Sequence, residues 1–278
     1  VDEWVFENTV QSQTPNWTSA LDFGEPNTGG ENVNVPVDIG GLTKCSVSVW
    51  FKTPNPDARQ AIYATGGNNG NFHFYFWDAG SGILYAGVNN IYAQNNTVNT
   101  LIPFDKWTHL SIVYDGTFTD SDTAVQNAGR LKMYINSSYV PFTSFSSTIP
   151  ASISSAGSTN INIGSYGATT YEFGGQLSNF NIYNTNLSQS EINSLYNNGQ
   201  PPTTLVGSPM GSYTLDSTTI TDSSGNGNTG TNNGATEIQT NVWTPRLNGE
   251  SDTLPSTALV SSDLQFNSAY SSFSLDFD

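Results

Sequence analysis

The chain has 278 residues, enough for one large all-β domain or for one domain and part of another. Only 11% of its residues are charged, yet 23 Asp and Glu against 7 Lys and Arg leave a net charge of −16, and no basic residue occurs between Lys132 and Arg246. Such an acidic surface repels phosphate backbones and anionic headgroups, which argues against nucleic acid and lipid partners, and no apolar run reaches transmembrane length.

Asn, Ser, Thr and Gly supply most of the polarity, and an aromatic content of 12% gives enough apolar area for a core. The single Cys45 excludes an intramolecular disulfide and a cysteine zinc site. Val47 and Val49 alternate with Ser46 and Ser48, so Cys45 is expected to be a buried strand thiol. No signal segment opens the chain and it starts at Val1, which suggests a processed product or part of something longer.

In chain order, residues 45–51, 72–77, 83–88, 110–114, 131–135, 161–164 and 177–183 read as strands. In the run LKMYI, Leu131, Met133 and Ile135 share one face while Lys132 and Tyr134 take the other, the period of a sheet with one wet side. Gly66-Gly67, Asn68-Asn69-Gly70 and Asp115-Gly116 supply turn residues. Short strands at this spacing mean an antiparallel sandwich or barrel. The insertion at 117–128 reads as flexible.

One helix is expected after residue 188. Ser188 and Glu191 form a capping box, Ile192, Leu195 and Tyr196 lie on one face, and Asn198-Gly199 supplies the stop. Residues 1–200 are therefore read as one domain, with 201–208, opened by Pro201-Pro202, as a stiff linker. After it, Ser274-Leu275-Asp276-Phe277-Asp278 echoes Ala20-Leu21-Asp22-Phe23-Gly24. Residues 209–278 are thus expected to be the opening part of a second similar module, or an extension packing on a neighbour.

Several of these segments resemble the laminin-G-like jelly-roll family of the concanavalin A-like lectin/glucanase group. Ala20 to Gly24 looks like its opening strand, and Val47-Ser48-Val49-Trp50-Phe51 is similar to its "sv-W-f" strand. Trp107-Thr108-His109 through Tyr114-Asp115-Gly116 matches W-x-H…y-D-G. Leu131 to Ser137 matches the following strand, with Ser137 in place of the usual Gly. Gly175 to Tyr183 and Leu187 to Gly199 resemble the closing strand and helix. The stretch Asp222-Ser-Ser-Gly-Asn-Gly-Asn-Thr-Gly230 looks like the D-x-S-G-N-G-N-x-G loop that opens such modules, and here it lies after the first module. Residues 245–278 also resemble stretches of large virion proteins of marine phages. The resemblance implies a two-sheet antiparallel jelly-roll sandwich with one short C-terminal helix.

Enzymes of this fold group are glycosidases with paired carboxylates, roughly 5 Å apart when retaining. No E-x-D-x-E run exists: Glu3 and Glu7 are four apart, and Glu25, Glu31, Glu172 and Glu191 stand alone. Catalysis is therefore not expected. His73 and His109 are read as packed side chains, and no G-x-S-x-G nucleophile context is present.

Calcium is the expected cofactor, held by Asp222, Asn226 and Asn228 in the glycine-rich loop, against the plain reading of the same residues as an Asx-turn. Asp120-Ser121-Asp122 is a weaker candidate. Glycan would be bound by aromatic platforms beside Gly/Asn-rich turns, with Trp77, Tyr92, Tyr166 and Tyr171 as candidates; the competing reading is core packing. The sequons at Asn16, Asn95, Asn136 and Asn186 are expected of so Asn-rich a chain. The function expected is a non-catalytic structural or adhesion subunit outside the cell, on a virion appendage or cell surface. It would associate with itself or with other virion or surface proteins, and bind glycans. The alternatives are a stand-alone secreted lectin-like module and a concanavalin-like glycoside hydrolase.

Overall fold

The structure is a computed structural model that describes residues 19–54, 59–65, 70–77, 83–96, 102–103, 105–167 and 170–239, of which Trp77 by its backbone only. Sixteen strands of the described residues form two antiparallel sheets. Sheet A runs β10 (Ser138–Val140), β9 (Leu131–Ile135), β8 (Thr108–Asp115), β3 (Lys44–Lys52), β13 (Gln176–Tyr183), β1 (Ser19–Asp22), β16 (Thr236–Gln239), with β14 (Gly211–Tyr213) also on β13. Sheet B runs β11 (Ser144–Phe145), β7 (Ile91–Asn95), β6 (Ile83–Val88), β5 (Phe72–Trp77), β4 (Gln60–Thr65), β12 (Ile161–Ile163), β2 (Asn32–Val35), β15 (Thr231–Asn233).

Period-two alternation builds the core between the sheets. From sheet A come Cys45, Val47, Val49 and Phe51 of β3, with Leu110, Ile112 and Tyr114 of β8. From sheet B come Phe72, Phe74 and Phe76 of β5, with Leu84, Ala86 and Val88 of β6. Each such large side chain contributes about 1.5–3 kcal/mol by leaving water. Burial pushes the Cys45 thiol well above its ordinary pKa, so it is inert filler. The expected two-sheet sandwich is what forms.

Among the described residues two α-helices stand beside it rather than one. Helix α1 (Thr123–Arg130) corrects the expectation of a flexible insertion. Asp122 caps it by accepting from the Ala124 and Val125 N–H groups, and Asp120 accepts from Asp122 N. Its far end is tied down by Arg130, whose guanidinium donates to the Phe118 and Ile149 carbonyls. The acidic turn 120–122 is thus helix-capping chemistry. Helix α2 (Gln189–Tyr196) carries the expected capping box between Ser188 and Glu191 and ends at Asn197 in the left-handed region. It lays Ile192 and Leu195 over Val113, Tyr134 and Tyr183 on the outer face of sheet A.

The domain boundary expected near residue 200 is also corrected. β14, β15 and β16 belong to the same sandwich: β14 pairs with β13, β15 with β2, and β16 with β1. Tyr213, Leu215, Ile220 and Ala235 enter the main core. The cause lies in β13, whose pairing with β3 shifts register between Ser178 and Asn181, with Asn179 at φ 49°. On its other edge β1 covers Leu177, and β14 takes the stretch Phe180 to Ile182 beyond the irregularity. Residues 240–278, including the echo at 274–278, lie outside the described residues.

Candidate functional site

The alternation that sends the β5 phenylalanines inward sends His73 and Tyr75 to the outer face of sheet B. Cross-strand register sets Tyr75 opposite Tyr85 and Ala61, and His73 opposite Gly87 and Ala64, while Gly87 in turn faces Tyr92. Tyr75, His73 and Tyr92 thus each have a small residue on at least one side. At Gly87 this is obligatory, because a Cβ there would overlap the His73 ring. Tyr166 and Tyr171 come from the loop between β12 and β13 and join the same cluster.

The rings form a shingled array. Tyr75 stacks on Tyr85 at 5.4 Å between centroids and 6° between planes, and on Tyr171 at 6.2 Å and 29°. Tyr166 meets Tyr75 edge-on at 5.6 Å and lies tilted by 51° against Tyr171 at 5.6 Å, and Tyr92 meets Tyr85 edge-on at 6.0 Å. These are the geometries aromatic quadrupoles favour. Tyr75 and Tyr166 are buried, whereas Tyr85, Tyr92 and Tyr171 are half-exposed and form the surface. Burial first, and then neighbouring tyrosines, push the Tyr75 and Tyr166 hydroxyls well above the ordinary phenol range. Both remain protonated in any physiological medium.

Tyr171 is held in an unfavourable conformation. Its φ of 52° lies in the left-handed region, which costs a bulky residue about 1–3 kcal/mol. Its carbonyl accepts from Ala61 N at 2.7 Å, Arg59 Nη1 donates to its hydroxyl at 3.2 Å, and the Arg59 guanidinium lies 5.0 Å from its ring centroid. Arg59 therefore serves to position Tyr171. The neighbouring carboxylate of Glu172 is buried and accepts from Gly29 N at 3.2 Å.

Beneath the tyrosines His73 is fully buried. Its Nδ1 lies 2.6 Å from the Gly70 carbonyl and must donate to it, which leaves Nε2 as an unprotonated acceptor with no hydrogen-bond partner among the described residues. Burial lowers its pKa to about 4, against a smaller upward effect of the Gly70 hydrogen bond.

Of the four aromatic candidates, Tyr92, Tyr166 and Tyr171 converge here, and the side chain of Trp77 lies outside the described residues. Tyr75, Tyr85 and His73 were missed. A partial signal was present in FHFYFW, where the residues that alternate with the phenylalanines are all aromatic, whereas in ILYAGV Tyr85 shares its face with Ile83 and Gly87.

The Asp222 loop packs against the β14 end of the sandwich. Asp222 Oδ1 accepts from Ser212 N at 3.1 Å and Ser224 N at 2.9 Å, and Oδ2 from Asn228 N at 2.9 Å. Burial pushes its pKa up, but these hydrogen bonds outweigh that and hold it below the ordinary value. The Asn226 and Asn228 amides donate to the Met210 carbonyl at 3.1 and 2.8 Å. Both carboxylate oxygens thus face backbone donors, which fits an Asx-turn scaffold better than a cation cage. Among the described residues no group of three or more His, Cys, Asp or Glu could hold a metal.

Depressions exist elsewhere, one of about 580 Å³ between α1 and the Phe142–Phe145 pair and one of about 280 Å³ beside Asp22, Lys52 and Asp105. Neither gathers aromatic rings as the face of sheet B does. Among the described residues no helix is long and apolar enough to cross a membrane.

The concanavalin A-like lectin/glucanases superfamily matches residues 27–193, more than half of the chain. The chain belongs to that family. This concanavalin-like chain is similar in fold to a protein from Bacteroides ovatus described as carbohydrate-binding, with a TM-score of 0.56 and 17% identity over 80% of this chain and 60% of that one. It is also similar to domain 4 of an extracellular arabinanase from Geobacillus stearothermophilus, solved with arabinotriose (TM-score 0.43, 20% identity, 65% and 82% covered). A heptameric pentraxin from Limulus polyphemus gives 0.47 and 16% identity over 64% and 82%. At these identities the likeness concerns the fold alone. No curated protein matches the concanavalin-like chain.

Proposed function

We propose that this chain is a non-catalytic glycan-binding module whose ligand lies on the tyrosine face of sheet B. The observation that carries the reading is Tyr171, a bulky residue held in a left-handed conformation by Ala61 and Arg59. Such strain persists where the surrounding structure over-determines it, and it concentrates at ligand sites. Half-exposed tyrosines offer apolar ring surface to the C–H faces of sugars and hydroxyls to their polar edges. The non-catalytic part rests on the same face: β4, β5, β6 and β7 contain no Asp or Glu to act as acid, base or nucleophile.

The acidic, weakly charged composition suits display outside a cell, on a cell surface or virion appendage, where adhesion to surface glycans would be the task. A printed glycan array tests the binding. Wild-type protein should bind at least one glycan class, and Tyr85→Ala should weaken that binding about tenfold or more, the scale of losing one stacked ring. Far-UV circular dichroism should stay unchanged. Retained affinity in the variant would move the site elsewhere.

A further inference from the structure

Sheet B differs from the rest of the molecule in its charge. Its eight strands read SF, IYAQN, ILYAGV, FHFYFW, QAIYAT, INI, NVNV and TNN, and none contains Asp, Glu, Lys or Arg. Sheet A carries Asp22, Lys44, Lys52, Asp115, Lys132 and Glu237 in its strands. In a chain of net charge −16, one whole sheet is free of formal charge.

We infer that the ligand of the tyrosine face is an uncharged glycan; this rests on the glycan-binding reading above. Apart from Arg59, the ionisable groups of the face cannot pair with an anion. His73 is neutral, with burial lowering its pKa to about 4, and the tyrosines stay protonated. The cation that does meet the cluster, Arg59, is committed to the Tyr171 ring and hydroxyl. An acidic sugar would also approach against the field of the whole molecule. What the face does offer is neutral hydrogen-bonding chemistry. Beyond Ala64 in the same cross-strand row come the buried Asn162, which accepts a 2.7 Å hydrogen bond from the half-buried Asn34, and then the exposed Thr231. Tyrosine hydroxyls and amides recognise sugar hydroxyls, and neither compensates a desolvated carboxylate or sulfate.

Affinity electrophoresis in gels cast with neutral polymers (arabinan, galactan, β-glucan) or acidic ones (polygalacturonate, carrageenan) decides this, at 50 and 500 mM NaCl. The expected result is retardation by at least one neutral polymer, with affinity changing less than about twofold across that salt range, since no ion pair is there to be screened. Tyr85→Ala should abolish the retardation, with its melting transition recorded to show that it folds. Retardation by acidic polymers alone, weakening about tenfold or more with salt, would overturn the inference and leave the glycan-binding reading standing. No retardation by any polymer would overturn both.

Discussion

The two outer faces of the sandwich each bury a histidine, and they do so in opposite ways. On sheet A, His109 lies opposite Trp50 and shares a 2.8 Å hydrogen bond with Ser48. Its neighbours on that face are small and polar, Ser46, Ser48 and Ser111, and a separate element covers them: α2 stacks Tyr196 on Trp50 at 5.7 Å and buries Ile192 and Leu195. On sheet B no helix among the described residues covers His73. The sheet's own tyrosines and one strained loop do so, leaving Tyr85, Tyr92 and Tyr171 half in water. A face sealed by a helix is finished, whereas a face roofed by half-exposed rings still has apolar surface to bury. That contrast supports the proposed site on sheet B.

Acid should break both faces together, and this is the largest effect expected. Burial lowers His73 to about 4 and His109 to about 3, while both return to about 6.5 on unfolding. Below that value the unfolded chain binds more protons than the folded one. The stability from these histidines is therefore full above pH 6.5 and is lost as pH falls toward 4. Each contributes a slope of about 1.4 kcal/mol per pH unit, so urea unfolding between pH 6.5 and 4.5 should lose on the order of 5 kcal/mol from the pair. His109→Gln should halve that slope. A flat profile over this window would mean that the histidines are reached by water.

The faces should then separate under substitution. Leu195→Ala beneath α2 should cost about 2–4 kcal/mol in chemical denaturation, the usual range for a buried leucine, and leave glycan affinity unchanged. Tyr171→Gly should do the reverse. Loss of ring contacts is offset by relief of the left-handed strain, so stability should shift by less than about 1 kcal/mol, while affinity falls about tenfold or more. If Tyr171→Gly unfolds the protein, the loop is structural and the contrast between the faces fails.

How much of this was legible follows from what alternation can encode. The strands holding Cys45–Phe51 and Leu131–Ile135 announced themselves, because one face is apolar and the other is not. β4 did not: every residue of QAIYAT is buried, so its pattern has no polar phase. The capping box at Ser188 is local chemistry and could be read directly. The pairing of β15 and β16 with strands some two hundred positions earlier is not local, and Thr231–Asn233 carries no apolar residue to suggest it. Tyr92, Tyr166 and Tyr171 were picked out by their turns. Only cross-strand register could reveal that Tyr75 and Tyr85 stand between them.

The smallest effect concerns the Asp222 loop, and there the sequence allowed two readings. Asp, Asn and Gly at these spacings serve a calcium cage or a hydrogen-bonded turn equally well, because both need short oxygen-bearing side chains on a backbone free to turn. What separates them is the direction in which the carboxylate points. Asp222 accepts three backbone N–H groups, and donors that already neutralise a carboxylate compete with a cation for the same lone pairs. We therefore expect the melting transition to be the same in excess EDTA and in millimolar calcium. A transition that rises with calcium would mean that the loop rearranges to release Asp222 from Ser212, Ser224 and Asn228, and would restore calcium as the cofactor of the β14 end of the sandwich.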